Sequence, residues 1–344
     1  LADIRRPYSH ARNQYVLDFS REEVVEYIYR QLRKLLEEAP ISYIKWDMNR
    51  SFSEAFSNGK GRTEQGKVRH QYILGVYRLY DRLTREFPEI LFESCASGGA
   101  RFDPGMLYYA PQGWTSDDTD AVERIKIQYG TSLVYPLSSM GSHVSAAPNH
   151  QVFRNTPLAT RANVAYFGTF GYELDVTRMT EEEQEAVKRQ VAFMKAHRRL
   201  IQFGTFYRLK SPFAGNSSAW MVVSPDGGQA LFAYFRILQP AQGKLERICL
   251  AGLEEGARYQ ITEVTEDSAQ ELSAEAPASP AATPALSAET AQPPCAESFH
   301  YGDELMYAGF SVSDFSSGIG REAYERQGDY FSRLYYLEKL PGEK

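Results

Sequence analysis

The stretch YIKWDMNR, residues 43–50, sets a cation, an indole and a carboxylate side by side, Lys45, Trp46 and Asp47, straight after an apolar pair. On a strand, residues two apart share a face. Lys45 and Asp47 then point together and Trp46 points the other way, into a core. An ammonium beside a carboxyl lowers its pKa, and an ionised, oriented carboxylate is what a nucleophile needs. The same charges also make a structural ion pair, with Arg50 as a further member, and the stretch alone leaves both readings open.

A second carboxylate group follows in GWTSDDTD, residues 113–120. Asp117 stands directly after a short strand pattern, and Asp118 or Thr119 is the expected cap of the next helix. Two carboxylates converging on one bond are the requirement of glycoside hydrolysis, and retaining enzymes hold them about 5–5.5 Å apart. Trp114 is either an apolar wall beside Asp117 or core. Between the two carboxylate strands lies ESCASGGARFDPGM, residues 93–106, whose small residues let a ligand approach the backbone. Cys95 there is either an inert buried thiol or a contact residue.

These residues need elements to carry them. From residue 14 to about 200, short apolar runs alternate with amphipathic helices. Strands are expected at YVLDFS (15–20, the strand ending at Asp18), SYIKWD, EILFES (89–94), QGWTSD (112–117), SLVYPLSS (132–139) and within VAYFGTFGYEL (164–174). Helices are expected from Ser20, with Glu23 closing a capping box, from about Gln65 to Glu86, from about Thr119 to Tyr129, near 156–165, and from Thr180, boxed by Glu183. Repeated βα units mean a parallel sheet. Asp18, Asp47, Cys95, Asp117, Ser138 and Glu173 follow the expected strands, and that placement suits the mouth of a (β/α)8 barrel. A doubly wound sheet is the alternative, but no glycine-rich phosphate loop follows the first strand. Six units are visible and a closed barrel needs eight, so the chain reads as an N-terminally truncated barrel. After residue 204 alternating strands with turns such as Pro225-Asp226-Gly227 predict an antiparallel β-sandwich. The expected domains are therefore 1–203, the partial barrel, and 204–344, the β-domain, with a disordered Ala/Pro/Ser-rich insertion at 267–296.

Composition narrows the function classes. The 344 residues are 43% hydrophobic and 13% aromatic, which is globular. A net charge of −6 argues against nucleic acid or an anionic membrane as partner, and no apolar run has membrane-helix length. Three cysteines fit a reducing, cytoplasmic setting rather than a disulfide framework. The six histidines are scattered, no metal-ligand spacing is present, and no cofactor is expected.

RNQYVLDFS, YIKWDMNR, ESCASGGARFDPGMLYY, WTSDDTDAVERIKIQYGTSLVYP, MGSHVSAAPNHQ and FGTFGYELD together resemble the retaining α-galactosidases of glycoside hydrolase family 36. The resemblance runs from about residue 12 to the C-terminus, apart from 267–296. It implies an enzyme with an N-terminal β-sandwich, a catalytic barrel and a C-terminal β-domain, of which this chain lacks the first part and the first two barrel strands. By motif position Asp47 resembles the nucleophile and Asp117 the acid/base. Arg12 and Lys45 resemble residues that hydrogen-bond galactose hydroxyls, and Cys95 and Gly98 the pair against the sugar's C2 substituent. Asn49 and Trp114 join them as expected substrate-binding residues. Ala100 departs from the family's longer glycine run. The implied substrates are α-galactosides of the melibiose and raffinose type, acted on by a homotetramer. An α-N-acetylgalactosaminidase, a transgalactosylase and a non-catalytic sugar-binding fragment are the alternatives.

Overall fold

The computed structural model describes residues 1, 3, 5, 13–240, 246–265, 268, 269, 272, 273, 298–312 and 328–342. The chain divides into two compact units, 1–117 and 118–344.

In the first unit three strands, β1 (Tyr43–Trp46), β2 (Leu91–Ser94) and β3 (Gln112–Trp114), run parallel. The register sets Lys45 opposite Glu93, and Glu93 opposite Gln112. Helices α1 (Glu22–Glu38) and α2 (Val68–Glu86) connect and cover them, and the short α3 (Pro104–Leu107) leads into β3. The apolar stripe of α2, with Tyr72, Val76, Leu79, Tyr80 and Leu83, meets Val25 and Leu36 of α1 and Phe92 of β2 in one buried cluster. Each such side chain taken out of water contributes roughly 1.5–3 kcal/mol, so this face fixes the sheet on its helices.

In the second unit β4 (Met140–Ser145) and β5 (Thr169–Glu173) pair in parallel, with α4 (Ala121–Thr131), α5 (Leu158–Ala165) and α6 (Glu181–Phe203) around them. An antiparallel sheet follows, built from β6 (Thr205–Lys210), β7 (Ser217–Val223), β8 (Gln229–Arg236), β10 (Arg258–Glu263), β11 (Ser298–Tyr301) and β13 (Phe331–Lys339), in the order β11-β10-β13-β8-β7-β6. Both faces of its centre are buried. Met221, Phe232, Tyr259 and Leu337 share one cluster with Leu250 and Leu305, beside the small pair β9 (Arg247–Ile248) and β12 (Phe310–Ser311). On the other face Trp220 and Phe235 pack against Phe167. The β/α repeats followed by an antiparallel domain are the expected fold class.

Several expectations are corrected. Residues 15–18 form no strand, so five parallel strands stand among the described residues, not six. Ser20 does not cap α1: its N–H and hydroxyl are both spent on Asp18 Oδ1, and the cap position falls to Arg21 without a side-chain bond. Residues 132–139 are not a strand either. Backbone bonds from Val134 and Tyr135 to the Thr131 carbonyl continue the end of α4 as turns, and the strand begins only at Met140. Ser138 thus precedes a strand instead of following one. Asp120, not Asp118 or Thr119, caps α4, accepting from the Val122 and Glu123 N–H groups at 3.1 and 3.0 Å. The pattern LMYAGFSVS (305–313), which also reads as strand, opens with a wide helical turn at Glu304–Ala308 instead. The Thr180–Glu183 capping box forms as expected. The insertion at 267–296 lies outside the described residues, except for 268, 269, 272 and 273.

Candidate active site

Asp47 is the first residue beyond β1. Trp46, before it, turns into the core and stacks on Tyr80 with ring centroids 4.7 Å apart. Lys45 takes the opposite face, as the two-residue alternation requires. Its ammonium lies 4.3 Å from the centroid of the Trp114 ring and 3.4 Å from Glu93 Oε1. The ion partner of Lys45 is therefore Glu93 on β2. Arg50 turns elsewhere, its Nε donating to the Gln14 carbonyl at 3.1 Å. Trp114 is buried, and its indole is the platform under Lys45.

Partial burial opposes ionisation of Asp47. The Cys95 thiol, the Asn49 amide, the Met48 backbone N–H and the Lys45 ammonium outweigh it, and the carboxyl pKa is lowered. Asn49 donates to Asp47 Oδ2 at 2.5 Å and accepts from the Ser97 N–H at 3.0 Å. One amide thus ties the carboxylate to the loop after β2. Cys95 is buried, and burial together with its hydrogen bond to Asp47 pushes its thiol up to about 11. It is therefore a proton-bearing donor to the Asp47 carboxylate at neutral pH. Its backbone joins the two strand ends as well: Cys95 N–H donates to the Trp46 carbonyl at 2.9 Å and Met48 N–H to the Cys95 carbonyl at 3.1 Å.

The loop after β2 turns through two left-handed residues, Ser97 at φ 48° and Gly98 at φ 76°. A Cβ on Gly98 would stand 2.9 Å from the Asp117 nitrogen, and one on Gly99 2.6 Å from the Thr115 carbonyl oxygen. The small residues let the β2 loop lie against the backbone that carries Asp117, whose own side chain is exposed. Lys45, Asp47, Asn49, Cys95 and Trp114 form one contact network in the first unit, and Gly98 joins Asp117 to its loop. Arg12 lies outside the described residues.

Two residues escaped the sequence reading. Glu93 is buried and also accepts from the Tyr43 hydroxyl and from Gln112 Nε2, the latter at 3.0 Å. A carboxylate directly after the apolar run ILF, residues 90–92, was the available signal, since a buried charge demands a partner. Arg101 donates to the Cys95 carbonyl at 2.8 Å and to the Trp46 carbonyl at 3.4 Å, beneath both strand ends. Nothing in its sequence context marked it. A cavity of about 510 Å³ beside β1 is rimmed by Lys45, Asp47, Asn49 and Arg101 and floored by apolar side chains such as Ile44 and Phe92. Among the described residues no group of three or more His, Cys, Asp or Glu side chains stands together to hold a metal ion, and no helix is long and apolar enough to cross a membrane.

A parallel β/α array with an ionised carboxylate beyond one strand end and a second carboxylate beyond another is the class of scaffold that serves glycosyl transfer. The comparisons with known proteins agree. The melibiase family model matches residues 2–204, and that of the glycosyl hydrolase family 36 C-terminal domain matches residues 217–337. The chain belongs to the melibiase family, glycoside hydrolase family 36. It is 56% identical over 320 residues to α-galactosidase AgaA of Geobacillus stearothermophilus, covering 92% of this chain and 39% of that protein. It is 48% identical over 256 residues to α-galactosidase Mel36A of Lactobacillus acidophilus, covering 74% of this chain and 35% of that protein. The crystal structure of AgaA in complex with raffinose superposes with a TM-score of 0.83 at 48% identity, over 99% of this chain and 41% of that one. The chain thus spans about two fifths of the length of the relatives it matches.

Proposed function

We propose that this protein is a retaining α-galactosidase that releases terminal galactose from oligosaccharides of the raffinose type. The observation that carries the reading is the Asp47 carboxylate, kept ionised at the end of β1 by the Cys95 thiol, the Asn49 amide, the Met48 N–H and the Lys45 ammonium. A carboxylate so held is charged and oriented before substrate arrives. Asp47 attacks the anomeric carbon while Asp117 gives its proton to the departing oxygen. Asp117, now a base, takes a proton from the water that opens the glycosyl ester. Lys45 and Arg12 bind galactose hydroxyls, Cys95 and Gly98 face C2, Trp114 supports Lys45, and Asn49 holds Asp47 in line.

The relatives lend support. AgaA, in variants that share one Ala→Glu substitution, was crystallised with raffinose when a further change was Asp→Asn and with stachyose when it was Asp→Ala. The two replaced aspartates stand 70 positions apart in that chain, the separation of Asp47 and Asp117 here. The division of labour expected from the sequence, a catalytic part in 1–203 and a β-domain in 204–344, runs close to the limits of the two matching family models. Cys95 and Cys249 are unpaired, which suits a cytoplasmic setting. A homotetramer completes the reading, and light scattering on the purified protein tests it.

The decisive experiment is a trap. A 2-deoxy-2-fluoro-galactosyl fluoride forms the ester and then stalls, and peptide mass spectrometry locates the label. Label on Asp47 is the expected result. Label on another carboxylate, or none on the folded, galactose-releasing protein, refutes the assignment.

A further inference from the structure

Lysine is a poor positioner by itself, because its stem carries about 2 kcal/mol of rotamer entropy. Lys45 is nevertheless held at two points, by the Trp114 ring at 4.3 Å and by Glu93 Oε1 at 3.4 Å. The two carriers of this pair differ in exposure. The Lys45 side chain is 37% exposed and that of Glu93 only 3%. Among the described residues, Glu93 Oε1 meets no hydrogen-bond donor, so the Lys45 ammonium is its charge partner. Its other oxygen is fixed by the Tyr43 hydroxyl and by Gln112 Nε2 at 3.0 Å. Those donors come from β1 and β3, and Lys45, Glu93 and Gln112 stand in one row across the three strands.

A buried ion pair is weak as a source of stability, because desolvation consumes most of the attraction. A carboxylate sunk in the sheet and locked from both neighbouring strands has a different use. We propose that Glu93 is a positioning residue of the glycosidase reaction, fixing the Lys45 ammonium over Trp114 so that its donors face the sugar. This rests on the α-galactosidase reading above. An ammonium has three donors, and an ion pair with Glu93 Oε1 at 3.4 Å holds its charge in place while its donors reach for hydroxyls. The arrangement also survives the change of charge during turnover. When Asp47 becomes a neutral ester, Lys45 keeps a counter-charge in Glu93 and stays in place for the second displacement.

A double-mutant cycle tests the proposal, with Glu93→Gln, Lys45→Met and both together, each checked for folding by circular dichroism. Loss of the partner of a buried charge predicts a fall in kcat/KM of roughly tenfold or more for each single variant. The double variant should be no worse than Lys45→Met, because Glu93 acts only through Lys45. Multiplying losses, or a Glu93→Gln enzyme within about twofold of the parent, overturns the proposal. If Lys45→Met alone fails to fold with Glu93 unpaired, Glu93→Gln is compared with the double variant. A Glu93→Gln enzyme at least about tenfold down, with the double variant no more active than it, supports the proposal, and a Glu93→Gln enzyme within about twofold of the parent overturns it. The fluorosugar label separates the two levels. Label on Asp47 in Glu93→Gln with additive losses sinks the positioning role alone, whereas no Asp47 label in the parent sinks the reading beneath it.

Discussion

The peptide that carries Asp117 rests against Gly98: a Cβ at position 98 would fall 2.8 Å from Ser116 Cα and 2.9 Å from the Asp117 nitrogen. Both atoms are backbone, so the collision cannot be relieved by a rotamer change. Gly98 also sits at φ 76°, where an L side chain is strained. Gly98→Ala should therefore push the Asp117 segment away and destabilise the fold by about 1–3 kcal/mol. A displacement near 1 Å costs about a hundredfold in rate when it moves a reacting group. The loss should be larger on raffinose than on an aryl galactoside with a good leaving group, because the latter needs less protonation. Equal losses on both substrates would show that Gly98 serves the fold and not Asp117.

Cys95 and Asp47 share a proton-donor relationship with a definite sign. Removing the thiol removes the leading stabiliser of the ionised carboxylate, so the Asp47 pKa must rise. The acidic limb of kcat/KM should move to higher pH in Cys95→Ala and less far in Cys95→Ser. An unmoved limb would detach the thiol from Asp47. Alkylation gives an independent check. Cys95 is buried and its pKa is raised to about 11, whereas Cys249 is exposed. Iodoacetamide at neutral pH should label Cys249 well ahead of Cys95.

Arg101 clamps the ends of β1 and β2 through the Trp46 and Cys95 carbonyls. Arg101→Met keeps much of the stem and removes the donors. Bonds to charged groups are worth about 1.5–3 kcal/mol, so urea unfolding should show a loss of about 2 kcal/mol. A stability change under about 0.5 kcal/mol would mean that water replaces the guanidinium at both carbonyls.

What could be read before any coordinates was the part written in local pattern. The KWD alternation placed Lys45 and Asp47 on one face and Trp46 on the other, and the structure keeps that division. The Thr180–Glu183 box is likewise a contact between near neighbours. The failures come from competing partners that the local pattern does not rank, some close by and some distant in sequence. Ser20 looked like a cap, but Asp18 captures its hydroxyl. Asp118 and Thr119 looked as suitable as Asp120, and Arg154, which pairs with the Asp120 carboxylate from 34 residues away, favours the last. Residues 132–139 are apolar enough for a strand, yet Leu133 and Val134 are exposed at 63% and 73%, so no core drew them into a sheet. Glu93 became meaningful only when the parallel register set it opposite Lys45.

The last prediction concerns stability in acid. His197 on α6 is buried between Phe193 and Tyr336, with ring centroids 4.4 and 4.7 Å away. Burial lowers its pKa from 6.5 to about 4, partly countered by a backbone hydrogen bond at Leu272. The unfolded chain therefore takes up a proton as pH falls through about 6.5, while the folded chain resists until about 4. More protons bind the unfolded state in that window, so stability falls as pH falls through it and is fully present above it. The span corresponds to roughly 3 kcal/mol at its lower end. His197→Phe keeps an aromatic ring between Phe193 and Tyr336 and removes the titration. Denaturant unfolding at pH 7 and pH 4.5 should show a smaller loss for His197→Phe than for the parent. Parallel losses in the two proteins would place the acid sensitivity on other groups.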